Sequence, residues 1–244
     1  MKLKFFKYMP AKYALATLRS GMIKVSTAAD ANDPNEIMPW ITSNGRDNDI
    51  DEIQKSARFW LAEELGFISL STNWDSNPMW GLYADKFRGM ALVFGYDLSE
   101  PGHEMFPVRY SAWRYHITDD ELDAQRNGGD PYGRMRELYA NKDKTWAFES
   151  EWRRIVKIED TKPLKLENGE TGYFVDVGKY LTGAIIGPNS TVTLGDVENA
   201  MREHPIEDFT VTKLRYDTRS FALTFICKKK WVQGQWMPDT STVI

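Results

Sequence analysis

The fold is decided by residues 67–96, which read FISLSTNWDSNPMWGLYADKFRGMALVFGY. Residues 67–71 alternate apolar and polar side chains, as a half-buried strand does, and residues 90–96 form a second, mostly apolar strand. Between them, Asn77-Pro78 predicts the start of a short helix, MWGLYADKFRG, that closes at Gly89. This stretch therefore predicts a fold in which strands and helices are mixed.

The same patterns extend towards both ends of the chain. Further strands are predicted over residues 2–8, 22–26, 106–110, 152–158, 172–177, 182–187, 210–216 and 220–228. Helices are predicted from Pro10 to Gly21 and over 49–65, 118–148 and 194–202, and a loop over 28–48. Because no repeat or low-complexity linker separates these pieces, we expect one α+β domain over residues 1–244. It would have a central mixed, mostly antiparallel sheet flanked by helices.

Composition and charge limit the partners of the chain. It has 244 residues, with 31 Lys and Arg against 35 Asp and Glu, and this net charge of -4 disfavours nucleic acid as the main partner. Cys227, the single cysteine, lies in an apolar run and is expected to be a small buried hydrophobe. We find neither a signal peptide nor a run of roughly 20 apolar residues, so we expect a cytoplasmic protein without a membrane partner. The sequence does not identify a protein partner.

Several segments resemble familiar motifs but do not match them. Residues 172–179 depart from a phosphate-binding loop in glycine spacing, and the acidic residues at 47–51 fit a helix start better than a calcium loop. The three His residues are scattered, so we predict no metal site. Residues 228–231, KKKW, together with Trp236, fit either a single-stranded nucleic-acid surface or a solvated strand end, and we favour the strand end.

Polar clusters at the predicted ends of strands form the candidate site. Its residues are Lys7, Tyr8, Asn32, Asp33, Glu36, Ser69, Ser71, Trp80, Tyr83, Glu149, Glu151 and Arg153. Polar groups that converge on an apolar wall are typical of small-molecule sites. We also expect Arg153 to pair with an acidic neighbour, and the loop NDPNE at residues 32–36 offers candidates, because the planar guanidinium can hold a carboxylate with two hydrogen bonds.

These residues lie in blocks that resemble a known family of bacterial and phage proteins. The early Lys-Tyr, the NDPNE loop, the Ser-rich strand end, MWGLYADKFRG and KTWAFESEWR (residues 144–153) occur in the order of the domain of unknown function numbered twenty-nine seventy-one. The blocks lie in residues 1–160, and residues 161–244, which contain a weaker GAIIGP match, would complete the sheet. This family carries no settled activity.

A looser resemblance, to the ADP-ribosyltransferase superfamily, implies a reaction on NAD. It implies that Lys7 and Tyr8 hold the ribose or diphosphate, and that Ser69 and Ser71 line the nicotinamide ribose. It further implies that Trp80 or Tyr83 stacks on the nicotinamide. Glu151 would be the catalytic carboxylate that stabilises the ribosyl cation, and Glu149 would accept a proton from the nucleophile. The first of these positions departs from the superfamily, which has Arg or His there.

Other interpretations of the same residues stay open. A module that binds a nucleotide or a peptide without reaction would need the same cleft, and a two-metal nuclease could use Asp33, Glu36, Glu149 and Glu151. As structural residues, the two Glu side chains would pair with nearby Lys or Arg on a surface strand. Trp80 would be a core residue, an interpretation that we favour, and the serines would face solvent.

Overall fold

The computed structural model describes residues 2–42, 62–100, 104–118, 120 and 131–239. Its strands are β1 (Lys2–Met9), β2 (Met22–Thr27), β3 (Trp40–Thr42), β4 (Leu65–Ser71), β5 (Met90–Asp97), β6 (Phe106–Pro107), β7 (Arg109–Ser111), β8 (His116–Thr118), β9 (Asn141–Asp143), β10 (Glu151–Lys157), β11 (Lys162–Lys165), β12 (Thr171–Asp176), β13 (Leu181–Ile186), β14 (Thr210–Tyr216), β15 (Leu223–Val232) and β16 (Gln235–Pro238). The α-helices whose bounds lie within the described residues are α1 (Ala11–Ser20), α2 (Asn77–Tyr83), α3 (Pro131–Tyr139) and α4 (Leu194–Met201), and residues 62–64 and Asp120 are helical as well. Short 3-10 helices cover Ala28–Asp30, Lys144–Glu149, Ile158–Asp160 and Gly178–Tyr180. The α+β class is confirmed.

Two compact units make up the chain. The first unit comprises Met1–Ile23, Leu70–His103 and Val175–Ile244, and the second comprises Lys24–Ser69 and Glu104–Phe174. The expectation of one domain over residues 1–244 stays a prediction. Within the described residues, no helix has the length and apolar character that crossing a membrane requires.

The first unit is built on a sheet with an apolar centre. Its strands lie in the order β1-β5-β13-β14-β15-β16, antiparallel except for the parallel pair β13 and β14. In β5 the residues Met90 to Phe94 are all buried, and β1 pairs with this strand along its full length, from Lys2↔Asp97 to Met9↔Met90. Helix α1 packs on α4 and ends at Gly21, whose left-handed backbone (φ 68°) suits glycine.

A tight turn follows α2 in the first unit. Asp85, Lys86 and Phe87 all have positive φ, which stops the helix at Tyr83 instead of at Gly89 as predicted. Gly89 then passes the main chain so closely that an added Cβ would lie 2.3 Å from the carbonyl oxygen of Met9. Glycine is therefore required where the turn leads back into β5.

The second unit combines short strand pairs with a helix. β4 pairs with β2 and β10, β10 pairs with β6, and β11 pairs with β12, while β3–β8 and β7–β9 are short parallel pairs. Its core is an apolar cluster contributed by β4, α3 and neighbouring loops. The members with large side chains are Ile37, Leu65, Phe67, Phe106, Ile117, Met135, Leu138 and Tyr139.

Some predicted element bounds are wrong. The helix expected over 49–65 lies mostly outside the described residues; residues 62–64 are helical, and the helix ends one residue earlier than predicted because Leu65 begins β4. Residues 118–148 are only partly helical: Thr118 ends β8, Asp120 and Pro131–Tyr139 are α-helical, and β9 and a 3-10 helix follow. β15 begins at Leu223 and runs to Val232, and the short strands β11 and β16 were not predicted.

Cys227 is also not the buried hydrophobe that its apolar neighbours predicted. It is partly exposed in β15, where Ile226 is exposed as well. The apolar run 221–227 therefore includes solvent-exposed side chains, and Phe221 before the strand is almost fully exposed.

Candidate functional site

A network of buried charges occupies the interior of the second unit. We call it the charge network, and its members are Glu36, Lys142, Glu149, Glu151 and Arg153. Each of these five residues is at most 6% exposed. Ionised carboxylates and ammonium groups rarely leave water unless they are paired, so the pairing within this network needs a detailed account.

Arg153 lies at the centre of the network and is 0% exposed. Its Nε donates to Glu151 Oε1 at 2.7 Å, its Nη2 donates to Glu151 Oε2 at 2.9 Å, and its Nη1 donates to the carbonyl of Tyr139 at 2.7 Å. Nη2 also donates to a carboxylate oxygen of Glu36. Its guanidinium lies over the Phe67 ring, 4.6 Å from the centroid.

The pairing of Arg153 with Glu36 confirms that Arg153 holds an acidic residue of the NDPNE loop. Burial lowers the pKa of Arg153 to about 9, so the guanidinium is still charged at neutral pH. A charged, bidentate arginine fixes the position of the carboxylates that it holds.

Lys142 is the second cation and was not predicted as a site residue. Its Nζ lies 2.5 Å from Glu149 Oε2, 3.2 Å from Glu151 Oε2 and 3.5 Å from Glu36 Oε1. The ammonium also lies 5.2 Å from the centroid of the Trp146 ring. One ammonium therefore lies within ion-pair distance of three carboxylates.

Lys142 was missed because residues 141–148 were expected to be helical. In β9 the neighbouring side chains alternate, so Lys142 is buried while Asp143 is exposed. An alternation of apolar residues would have predicted this strand, but its sequence, NKD, contains no apolar residue. Only the parallel pairing of β9 with β7 shows that Lys142 belongs to a strand.

Glu151 also contacts residues outside the charge network. Besides Arg153 and Lys142, it accepts a hydrogen bond from the Ser69 hydroxyl, and its backbone N–H donates to the Tyr110 hydroxyl at 2.8 Å. Burial raises the pKa of Glu151, and the Glu149 carboxylate raises it further, while Lys142 acts in the opposite direction. Burial likewise raises the pKa of Tyr110 to about 12.

The two glutamates meet in a different way from the predicted one. Glu149 ends a 3-10 helix, and only Glu151 belongs to β10, so they are not alternate residues of one strand. Ser150 between them has left-handed backbone angles (φ 47°, ψ 49°), and this reversal lets both side chains reach Lys142. The structural interpretation placed both glutamates on a surface strand, but both are buried.

Backbone strain accompanies the carboxylates of the site. Ile37, directly after Glu36, has φ 55° and is 1% exposed. A β-branched residue in this region is a conformational outlier, and such outliers cluster at ligand-binding and catalytic sites. Ser150, between Glu149 and Glu151, is the second residue of the site with left-handed backbone angles. The chain thus holds both Glu36 and the Glu149–Glu151 pair through residues with unfavourable backbone angles.

A pocket of about 490 Å³ opens above part of this network. It is lined by the loop around Glu36, by residues 111–115 from the end of β7 onwards, by residues 141–146, which include β9, and by Leu138 of α3. Glu36 and Lys142 line it, whereas Glu149 and Glu151 are not lining residues. The charge network therefore reaches the pocket through one carboxylate and one ammonium.

Aromatic and polar side chains form the walls of this pocket. Trp113, which is 79% exposed, and Trp146 supply flat apolar faces, and both Asp33 and Arg114 line the pocket as well. Arg114 Nη2 donates to the amide oxygen of Asn35 at 2.7 Å, which joins two of the lining segments. A volume of this size, with a few convergent polar groups, matches small-molecule sites.

The remaining predicted residues have these positions. In the second unit, Asn32 is exposed and Asp33 is buried, with its Oδ1 accepting from the N–H of Asn35 at 2.8 Å. Ser69 is half-buried and Ser71 is buried. The structural interpretation, in which both serines face solvent, is therefore wrong.

Five predicted residues belong to the first unit: Lys7, Tyr8, Ser71, Trp80 and Tyr83. Trp80 is 0% exposed and packs edge-on against Tyr8 with the ring centroids 5.1 Å apart, so its interpretation as a core residue is confirmed. The Tyr8 hydroxyl donates to the carbonyl of Asn73 at 2.7 Å, and burial raises its pKa well above the usual value. Lys7 and Tyr83 are half-buried. A cleft shared by these residues and Glu151 stays a prediction.

Comparison with known proteins adds no relative: no family model, curated protein or solved structure matches this chain.

Proposed function

We propose that the second unit binds a small ligand of the nucleoside or nucleotide class in the pocket between Glu36, Trp113 and Trp146. The observation that carries the proposal is the combination of the exposed Trp113 and the half-buried Trp146 with the buried Glu36–Lys142 pair in one pocket of about 490 Å³. Each part of such a ligand has a matching group in the lining.

The aromatic side chains suit the planar base. A base or a nicotinamide ring presents a flat face that stacks on tryptophan, and Trp113 is exposed enough to receive it. Asp33, Glu36 and the side chains of Asn35 and Asn141 offer acceptors and donors for sugar hydroxyls. Arg114, at an exposed position of the lining, provides a cation for a phosphate group.

The charge network supports binding by holding the pocket wall in place. Glu36 is fixed by Arg153 and Lys142, so a ligand that contacts Glu36 meets a carboxylate that has already lost its side-chain freedom. Groups held in this way bind more tightly because less conformational entropy is lost on association.

Binding is tested by titrating the protein with adenosine, ATP and NAD and following tryptophan fluorescence and heat. Trp113→Ala should weaken binding by about tenfold, since base stacking contributes roughly 1 to 3 kcal/mol. Trp40→Ala is the matched control, because Trp40 is an exposed tryptophan of the same unit that does not line the pocket. If no nucleoside or nucleotide binds at roughly 1 mM, or both variants lose affinity equally, the proposal is wrong.

ADP-ribosyl transfer from NAD is the second candidate function. The observation that favours it is the hydrogen bond from Ser69 to Glu151, because the superfamily resemblance assigns a serine and this glutamate to one site. We rank it second because Glu151 is held by Arg153, Lys142 and Ser69 and does not line the pocket.

The reaction is tested by measuring nicotinamide release from NAD. Glu151→Gln should lower the rate about 100- to 1000-fold while NAD affinity changes far less, because the ribosyl cation develops only in the transition state. Nicotinamide release that is absent in the wild type, or unchanged in the variant, rejects this candidate. Binding of NAD without release would leave the first candidate standing, as a binding module.

A two-metal nuclease is the least supported alternative. Of the four carboxylates that it would use, Glu36, Glu149 and Glu151 all contact the Lys142 ammonium. Among the residues that the structure describes, no group of His, Cys, Asp and Glu is arranged to hold a metal ion.

A further inference from the structure

Two acidic residues of the NDPNE loop line the pocket of the second unit and differ in how they are paired. Glu36 is 4% exposed and contacts the cations of Arg153 and Lys142. Asp33 is 7% exposed, and its side chain accepts one hydrogen bond, from the backbone N–H of Asn35 at 2.8 Å. Within the described part of the chain, no cation lies at ion-pair distance from the Asp33 carboxylate. Asp33 is therefore a buried carboxylate whose counter-charge the described residues do not supply.

The charge of Asp33 is not explained by its contact with the backbone. Burial penalises an ionised carboxylate, and one neutral N–H compensates for this penalty only in part. The neutral amide of asparagine would accept the same hydrogen bond from the Asn35 N–H and hold the same turn. Because Asp33 lines the pocket, a ligand can reach its carboxylate and supply the positive charge.

The rest of the lining does not neutralise this carboxylate. Three carboxylates and two cations line the pocket, and they belong to Asp33, Glu36, Asp143, Arg114 and Lys142. The Lys142 ammonium is already shared by three carboxylates of the charge network. The lining therefore has an excess of negative charge, which favours a ligand with a positive group.

The tryptophans of the pocket suit a cation that is also planar. Trp113 is 79% exposed, so it can present a ring face to a ligand. Trp146 is half-buried and already has a cation, the Lys142 ammonium, 5.2 Å from its ring centroid. An aromatic face attracts a cation, and the attraction is stronger where the cation is removed from water. A positively charged aromatic ring combines this attraction with the stacking of a base.

We propose that the pocket selects a nucleoside whose base carries a positive charge, and that Asp33 is the residue that determines this specificity. The inference rests on the proposed function, because it assigns the base to the tryptophans of the same pocket. The base stacks on Trp113, and its positive charge meets the Asp33 carboxylate. Purines that are alkylated on a ring nitrogen belong to this class of ligand.

The experiment compares two isomers of methyladenosine, titrated into the full chain at neutral pH and followed by calorimetry. A methyl group on the ring nitrogen of the Watson–Crick edge makes the base a cation, whereas a methyl group on the exocyclic amine leaves it neutral. The cationic isomer should bind about tenfold more tightly, because only this isomer gains the cation–π attraction and the contact with a carboxylate.

Asp33→Asn should remove this preference. The cationic isomer should bind about tenfold less tightly to the variant, and the affinity of the neutral isomer should change by less than about twofold. Asp176→Asn is the matched control. Asp176 Oδ1 likewise accepts the N–H of the second residue along the chain, Gly178, at 2.8 Å, but Asp176 is exposed and does not line the pocket.

Each outcome has a definite meaning. A preference for the cationic isomer that is lost in Asp33→Asn and kept in Asp176→Asn supports the proposal. Equal binding of the two isomers to the wild type overturns the selection of a cation but leaves the proposed function standing. A preference that Asp33→Asn does not change overturns the role of Asp33. Absence of binding of both isomers at roughly 1 mM rejects the inference together with the proposed function.

Discussion

Strands β5 and β10 show two ways of building the interior of this protein. In β5 of the first unit, Met90 to Phe94 are all buried and all apolar. In β10 of the second unit, the buried positions are Glu151, Arg153 and Val156. Burial of apolar side chains stabilises a fold directly, at roughly 25 cal/mol per Å². A buried ion pair has to overcome the desolvation of both charges and often adds little net stability.

This difference between β5 and β10 indicates which strand mainly stabilises the fold and which one positions charged groups. An apolar β10 would be as stable or more stable, so the retained charges of the second unit are better explained by the geometry that they impose on Glu36 and the pocket. The apolar side chains Met90 to Phe94 of β5 hold no charged group in a fixed position. The following four predictions test this contrast, from the largest expected change in the free energy of unfolding to the smallest.

Arg153→Met should have the largest effect, destabilising the protein by about 3 to 5 kcal/mol. The substitution leaves Glu36 and Glu151 buried without their main cation. Urea denaturation measures the change, and Arg154→Met serves as the control, because Arg154 is the half-buried neighbour on the same strand. Similar losses in both variants would mean that the charge network is not a special feature of β10.

Leu92→Ala should cost about 3 kcal/mol, because it removes a side chain that is 0% exposed in the centre of β5. Unlike the change at Arg153, this loss should be the same at acidic and neutral pH, since no charge is involved. The matched control is Leu82→Ala in α2, where the leucine is 62% exposed and a loss below about 1 kcal/mol is expected. A strong pH dependence of the Leu92→Ala loss would break the contrast between the two strands.

Glu151→Gln should change how stability depends on pH. Burial raises the pKa of Glu151 in the folded chain, so the protonated carboxyl favours folding. This contribution is complete below the pKa of an unfolded glutamate, about 4.3, and is lost as the pH rises through the raised value. Glutamine does not ionise, so the variant should gain stability relative to wild type as the pH rises above about 4.

The measurement for Glu151→Gln is a series of urea titrations of both proteins across this pH range. A relative stability that moves in favour of the wild type as the pH rises would show that the pairing with Arg153 and Lys142 outweighs burial. In that case Glu151 would be a stabilising ion-pair residue, and the contrast with β5 would be weaker.

Ser150→Gly should have the smallest effect, a stabilisation of about 1 kcal/mol. Ser150 has left-handed backbone angles that glycine adopts without steric cost. If the strain serves the site, the variant should gain thermal stability and at the same time bind the ligand of the second unit less tightly. Loss of stability would instead show that the Ser150 side chain makes a contact worth more than the backbone strain.

The sequence predicted the strands with clear apolar character, and it singled out Glu36, Glu149, Glu151 and Arg153 of the charge network. The order of β1, β2, β4, β5, β10, β12, β13 and β14 was recognisable from alternation and apolar runs, since burial on one or both faces constrains each residue locally. The pairing of Arg153 with an acid of the NDPNE loop was also predicted, because the planar guanidinium can hold a carboxylate with two hydrogen bonds.

Tertiary structure alone decided the rest. Lys142 looks like one exposed lysine among several, and only the pairing of β9 with β7 buries it among three carboxylates. The position of Trp113 in the lining of the pocket likewise depends on how separate segments of the second unit pack together. A local pattern determines which side chains avoid water, whereas the partner of a buried charge depends on contacts between residues far apart in the chain. Ser69 and Glu151, which are 82 positions apart, meet for that reason.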